Sequence, residues 1–160
     1  MKRVLLVCTG NICRSPLAEA MMRRGLIDRG SDHVRVSSAG TGAWEGAPAS
    51  EGAYLVALEH GLDLSGHRAQ LLTKELVRDA DLILTMARHH RARVEELGGE
   101  GRTHVLGEFA GLGGPEAEIS DPFGSDLEVY RDTYEQLDTL IAEAVERLSD
   151  ERDDHDRGND

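Results

Sequence analysis

Cysteine is nearly absent from this 160-residue chain, which holds only Cys8 and Cys13. Two thiols so near each other cannot staple a fold, and they are too few for a four-cysteine zinc site, so their role is sought in chemistry. Long apolar runs are missing too. The longest, Val4 to Cys8, suits a single buried strand and is far short of a bilayer span. The N-terminus lacks the apolar stretch and cleavage site of an export signal, so the expectation is a cytoplasmic protein without a membrane partner. There is no excess of positive charge: 18 Lys and Arg face 30 Asp and Glu, a net charge of -12, which argues against a broad nucleic-acid-binding face. No internal repeat or linker divides the chain. One domain over residues 1–148 is therefore expected, with a monomer favoured. From Ser149 to Asp160 six acids face two arginines with no aliphatic or aromatic side chain, which reads as an acidic, disordered tail.

Between these limits, strand and helix patterns alternate. Residues 3 to 8 read as a buried strand ending in a tight Thr9-Gly10-Asn11 loop. Ser15 as cap and Pro16 at the first helical position open a helix to about Arg29, with Glu19 in its first turns. His33 to Ser38 alternates as a second strand, and Ser50 to His60 is a helix stopped by Gly61. A helix over 73–79 leads to a third strand, Asp81 to Thr85. Residues 87 to 97 are helical up to Gly98-Gly99, and Thr103 to Leu106 offers a short fourth strand. The glycine- and proline-rich stretch 107–124 is expected to be a loop. Ser125 or Asp126 then caps a last helix whose stripe of Leu127, Tyr130, Tyr134, Leu137, Ile141, Ala144 and Leu148 steps by three or four. The pattern predicts an α/β fold, a short parallel four-stranded sheet with helices on both faces. In such sheets ligands bind beyond the carboxyl ends of the strands where strand order reverses, and the loop after strand one is such a place.

That loop reads Cys8-Thr9-Gly10-Asn11-Ile12-Cys13-Arg14-Ser15. A helix N-terminus offers unpaired amide donors and the positive end of the macrodipole, so it can cradle an oxyanion. A chain curled round an anion needs unusual backbone angles, which Gly10 adopts freely and Asn11 better than most residues. Arg14 supplies a planar fork for two phosphate oxygens, which a lysine cannot imitate. Cys8 stands where dipoles and guanidinium converge, a setting that favours the nucleophilic thiolate. Ser15 can donate a hydroxyl to that sulfur. Taken alone, a cysteine ending an apolar strand is a packing residue; it is the spacing to Arg14-Ser15-Pro16 that points to catalysis. A Walker-type nucleotide loop is set aside because Gly-Lys-Ser/Thr is absent. His89 and His90 are neighbours without the i, i+4 spacing of a paired ligand site, so no metal is assigned, and no cofactor is needed.

These residues resemble the low-molecular-weight protein-tyrosine phosphatases, whose C-x5-R-S signature lies near the N-terminus and whose Asp-Pro near the C-terminus supplies a general acid. Asp121-Pro122 stands in that place, and Ser38-Ala39-Gly40-Thr41 also fits, so the resemblance covers about residues 2 to 148. It implies a phosphorylated protein as partner, a cysteinyl-phosphate intermediate on Cys8, and Asp121 as proton donor and then base. It further implies a supporting network of Asn11, Ser15, Ser38 and His67, and a slot walled by Ile12, Trp44 and Phe123 above the loop residues Thr9, Gly10 and Cys13. A reversible Cys8–Cys13 bond is implied as well, with small-residue packing an equal alternative for Cys13.

Phe123-Gly124 replaces the tyrosines of many relatives, and Gln70 stands where an arginine is usual. Asp-Pro-Phe-Gly also resembles the bacterial protein-arginine phosphatases of the same fold, but those carry threonine where this chain has Ile12. A bulky apolar residue there suits a phenyl ring and desolvates a guanidinium, so phosphotyrosine is the preferred substrate. Arsenate reduction ranks lower because no thiol follows Cys13 to relay electrons. A phospho-binder without turnover is disfavoured by the intact Cys8, Arg14 and Asp121.

Overall fold

In a computed structural model, which describes the backbone of residues 1–158 and the side chains of residues 1–150, the apolar runs of the sequence become the middle of a sheet. Strand β1 (Lys2–Cys8) buries every residue from Val4 onward, and β3 (Leu82–Thr85) buries all four of its residues. Such strands cannot face water on either side. β2 (Val34–Gly40) and β4 (Thr103–Val105) flank them, and the order β2-β1-β3-β4 is parallel throughout. Side chains alternate between two cores. Val4, Leu6, Leu82 and Leu84 pack with helices α1 (Arg14–Asp28), α2 (Glu51–Glu59) and α6 (Leu127–Gly158) on one face. Leu5, Val7 and Ile83 meet Val77 of α3 (Lys74–Asp79) and Val94 of α4 (Arg88–Val94) on the other. The chain is thus a single α/β domain with a four-stranded parallel sheet covered on both sides.

The helix boundaries follow their caps. Ser50 and Thr73 accept the amides of Ala53 and Leu76 at the starts of α2 and α3, each worth about 1 kcal/mol. Asp126 rather than Ser125 caps α6, accepting from Val129 N at 3.2 Å. The stripe expected on α6 is buried from Tyr130 through Leu148, with Leu137 and Leu148 fully enclosed against the sheet-facing core.

Two expectations are corrected. Ser15 is not the cap of α1: Cys13 holds that position without a side-chain bond, because the Ser15 hydroxyl is turned to Cys8. Residues 107–124 are not all loop. A short helix α5 (Leu106–Phe109) and a 3₁₀ turn at Gly114–Ala117 form there, anchored by buried Leu106, Ala117 and Ile119 and by Gly107, whose missing Cβ lets the backbone of Ala117 approach. At the start of the acidic segment the Ser149 hydroxyl meets Ser31 Oγ at 2.9 Å, and the α6 backbone runs on to Gly158. Extending a formed helix needs only one further bond per residue. Asn159 and Asp160, the end of the expected tail, lie outside the described residues.

Candidate active site

β1 has neighbours on both sides, β2 and β3, so strand order reverses at its carboxyl end. Here Cys8 closes the strand and Arg14 opens α1, and the five residues between curl into one turn. Asn11 adopts φ 56°, the chain's single non-glycine residue with positive φ among those described. Its amide N–H thereby comes to 3.2 Å from Cys8 Sγ.

The Asn11 side chain explains why that strained angle persists. Its Oδ1 accepts the Gln70 amide at 2.9 Å, which fixes the amide orientation. Its Nδ2 then donates to Ser15 Oγ at 2.8 Å and Ser38 Oγ at 2.9 Å. With its oxygen receiving from Asn11, Ser15 is free to give its proton to Cys8 Sγ at 2.9 Å. Ser38 passes its own proton to Glu19 Oε1 at 2.7 Å. His67 Nε2 donates to the Asn11 carbonyl at 2.6 Å. Asn11, Ser15, Ser38 and His67 thus meet in one connected set of bonds, buried at Asn11, Ser15 and Ser38 and ending at the sulfur, and Glu19 and Gln70 are partners that spacing alone did not reveal.

Arg14 is buried at 4% exposure. Its Nη1 donates to the Ile119 carbonyl at 2.9 Å and its Nη2 to Thr9 Oγ1 at 3.4 Å. Asp121 Oδ2 lies 3.6 Å from Nη2, with its side chain half exposed. Nε is buried without a hydrogen-bond partner. A guanidinium N–H shut away from water needs an acceptor, and an oxyanion in the loop would supply one.

Cys8, Thr9, Gly10, Ile12, Cys13, Arg14, Asp121 and Phe123 line a pocket of about 170 Å³. Phe123 is 64% exposed at its edge, and its amide donates to Asp121 Oδ1 at 3.1 Å. Trp44 does not line this pocket. It is 84% exposed on the loop after β2, where its carbonyl is tied into a turn by the Ala47 amide. Cys13 faces inward, its sulfur 3.2 Å from Ser50 Oγ and 3.4 Å from Tyr130 Oη. Burial pushes the Cys13 thiol up and Tyr130 up to about 12, so both stay protonated. Both cysteines are free.

Gly40 and His90, both named in the sequence, have contacts with Thr9 that the sequence does not disclose. Gly40 ends β2 so close to the loop that an added Cβ would sit 2.4 Å from the Thr9 carbonyl. His90, fully buried on α4, meets Thr9 Oγ1 through Nε2 at 2.9 Å. Neither carries a local signal, since both act across elements distant in sequence. No group of three or more acidic, His or Cys side chains able to hold a metal occurs among the described residues.

Comparison with known proteins shows the family of the chain. The family model for low molecular weight phosphotyrosine protein phosphatases matches residues 3–154. A protein-arginine-phosphatase of Geobacillus stearothermophilus is 38% identical over 152 residues, covering 94% of this chain and 98% of the relative. The low molecular weight protein-tyrosine-phosphatase Wzb of Escherichia coli K12 is 38% identical over 149 residues, covering 93% and 97%. The crystal structure of a low molecular weight protein tyrosine phosphatase from T. tengcongensis superposes with a TM-score of 0.85 at 41% identity, covering 92% of this chain and 99% of that one. A sulfur at the floor of an anion loop, a buried arginine beside it and a carboxylate above it occur here in a chain that belongs to the low molecular weight phosphotyrosine protein phosphatase family.

Proposed function

We propose that the protein hydrolyses phosphotyrosine in protein substrates through a cysteinyl-phosphate intermediate. One observation carries this reading: the Cys8 sulfur receives the Asn11 amide and the Ser15 hydroxyl in a pocket shared with Arg14 and Asp121. Cys8 attacks phosphorus as the bond to the phenolic oxygen breaks, and Asp121 gives its proton to that oxygen. Arg14 and the loop amides hold the non-bridging oxygens throughout. Asp121, now a carboxylate, takes a proton from the water that attacks phosphorus. The sulfur leaves as a thiolate stabilised by Ser15, and phosphate is released.

The preference for tyrosine rests on the walls. Ile12 and Phe123 offer apolar and aromatic surface to a flat ring, whereas a phosphorylated guanidinium has polar N–H groups that these side chains leave unpaired. Arginine dephosphorylation is the second reading, favoured by the similarity to the Geobacillus arginine phosphatase. Turnover of phosphotyrosine and phosphoarginine proteins, measured side by side on the reduced enzyme, decides between them. Faster phosphotyrosine turnover, abolished in Cys8→Ser, is the expected result. Faster phosphoarginine turnover would transfer the assignment to the second reading, and no turnover of either would leave a phospho-binder.

A further inference from the structure

His90 has no place in the mechanism above, yet it is fully buried one residue layer behind the phosphate loop. Its two ring nitrogens have distinct duties. As the third residue of α4 it reaches back to the helix start, where Nδ1 lies 3.1 Å from the Ala87 amide. A backbone N–H can only donate, so Nδ1 is the acceptor and the ring proton resides on Nε2. Nε2–H therefore donates to Thr9 Oγ1 at 2.9 Å. Burial holds this imidazole neutral, pulling it down to about 3, and thus preserves the tautomer across the working range of pH.

Thr9 completes the inference. A hydroxyl has two acceptor lone pairs and one donor hydrogen. Here His90 Nε2–H addresses one lone pair and Arg14 Nη2 the other, the latter at 3.4 Å. With both acceptor sites engaged, the hydroxyl hydrogen must point elsewhere, and Thr9 lines the pocket that also holds Cys8 and Arg14. The histidine is itself anchored. Ala87 follows Met86, whose amide donates to Val7 O and whose carbonyl accepts Ile119 N, while Ile119 O receives Arg14 Nη1. The ends of β1 and β3, the segment leading to Asp121 and the guanidinium are thus bonded into one frame around Thr9.

We propose that Thr9 donates its hydroxyl proton to a non-bridging oxygen of the phosphoryl group, and that His90 is the positioning residue that aims it. This rests on the reading of the loop as a phosphate site. His90 does not touch the phosphoryl group and is not catalytic. It removes the rotational freedom that an exposed threonine hydroxyl otherwise has, so that the donor is already directed when the anion arrives.

The test is a double-variant cycle read as the dissociation constant of inorganic phosphate and as kcat/KM on an aryl phosphate. Thr9→Val removes the donor. His90→Asn retains an acceptor for the Ala87 amide, hence the helix start, but falls short of Thr9, whereas His90→Gln places an N–H near the former Nε2. Thr9→Val and His90→Asn should each weaken phosphate binding by about tenfold, the scale of one charge-assisted hydrogen bond. The combined variant should be no worse than Thr9→Val, and His90→Gln should recover most of the loss. Nitrogen-15 spectra of the wild type should show His90 protonated on Nε2 alone from pH 5 to 8. Losses that multiply in the combined variant, or wild-type affinity in Thr9→Val, would overturn the proposal while leaving the phosphate site intact. Failure of the wild type to bind phosphate at all would overturn both.

Discussion

Asp121 is held but not immobilised. One oxygen accepts from Phe123 N and the other lies 3.6 Å from Arg14, while half the side chain meets water. On the proposed mechanism Asp121 donates a proton and then accepts one from water, and this half-exposed setting gives it that access. Asp121→Asn keeps the shape and removes both proton transfers, so on the proposed mechanism kcat should fall on the order of 10²-fold with little change in KM. Steady-state kinetics on an aryl phosphate checks this; an equal rise in KM with kcat unchanged would make Asp121 a binding residue instead. His90 yields a prediction about stability. Its ordinary value of 6.5 is lowered to about 3 in the fold, chiefly by burial, with the nearby charges of His89 and Arg14 adding to it. Between those values the unfolded chain binds a proton that the folded one refuses, so stability is full above pH 6.5 and is lost as pH falls toward 3. Urea unfolding of the wild type against His90→Asn should therefore show a relative loss on the order of 2–3 kcal/mol between about pH 7 and pH 4. A pH-independent difference would mean that the ring does not stay neutral in the fold.

At the scale of elements, the loop from Cys8 to Arg14 keeps its shape because β2 ends against it. Thr41 and Gly42 amides donate to the carbonyls of Cys8 and Thr9, and the Gly40 backbone lies against Thr9 and Asn11. Gly40→Ala would drive a methyl to 2.4 Å from a backbone oxygen, which no rotamer can relieve. Expected is a loss of about 1–3 kcal/mol in thermal unfolding and a fall in kcat/KM larger than that stability loss alone would cause, because Asn11 and Thr9 move with the loop. Unchanged kinetics with lowered stability would show that the loop tolerates displacement. This contact marks the limit of what the sequence discloses. Cys8, Arg14 and the opening of α1 were legible because they are local: a strand end, a tight turn and a helix start follow one another along the chain. The apolar runs of β1 and β3 and the α6 stripe were legible for the same reason, since periodicity is a local property. Gly40 against Thr9, His90 against Thr9 and Ile119 O against Arg14 pair residues 31, 81 and 105 positions apart. No spacing rule joins them; only the crossovers of the sheet do. The stretch 107–124 reads as loop because its glycines and prolines outweigh the buried Ala117 and Ile119, which with Leu106 anchor it to the core.

The whole molecule sets a field around the small pocket of Cys8 and Arg14. Its net charge of -12 spreads over a chain in which that pocket holds a single arginine, Arg14. A phosphorylated peptide approaching from a distance meets the negative total before it meets Arg14, so its flanking residues should govern the rate of encounter. Peptides with Lys or Arg beside the phosphoresidue should be steered in, and peptides with Asp or Glu repelled. Screening separates this from local contacts, because the Debye length shrinks from about 30 Å at about 0.01 M salt to about 8 Å at about 0.15 M. Over that range kcat/KM should fall several-fold for basic-flanked peptides and rise for acidic-flanked ones, so that the two converge. Because chemistry at the pocket is common to both, kcat should hardly respond in either series. Matched peptides differing only in their flanks, measured at both ionic strengths, provide the check. If both series shifted in the same direction with salt, discrimination would come from pairing at the pocket rim, and the charge of the whole fold would play no part in choosing substrates.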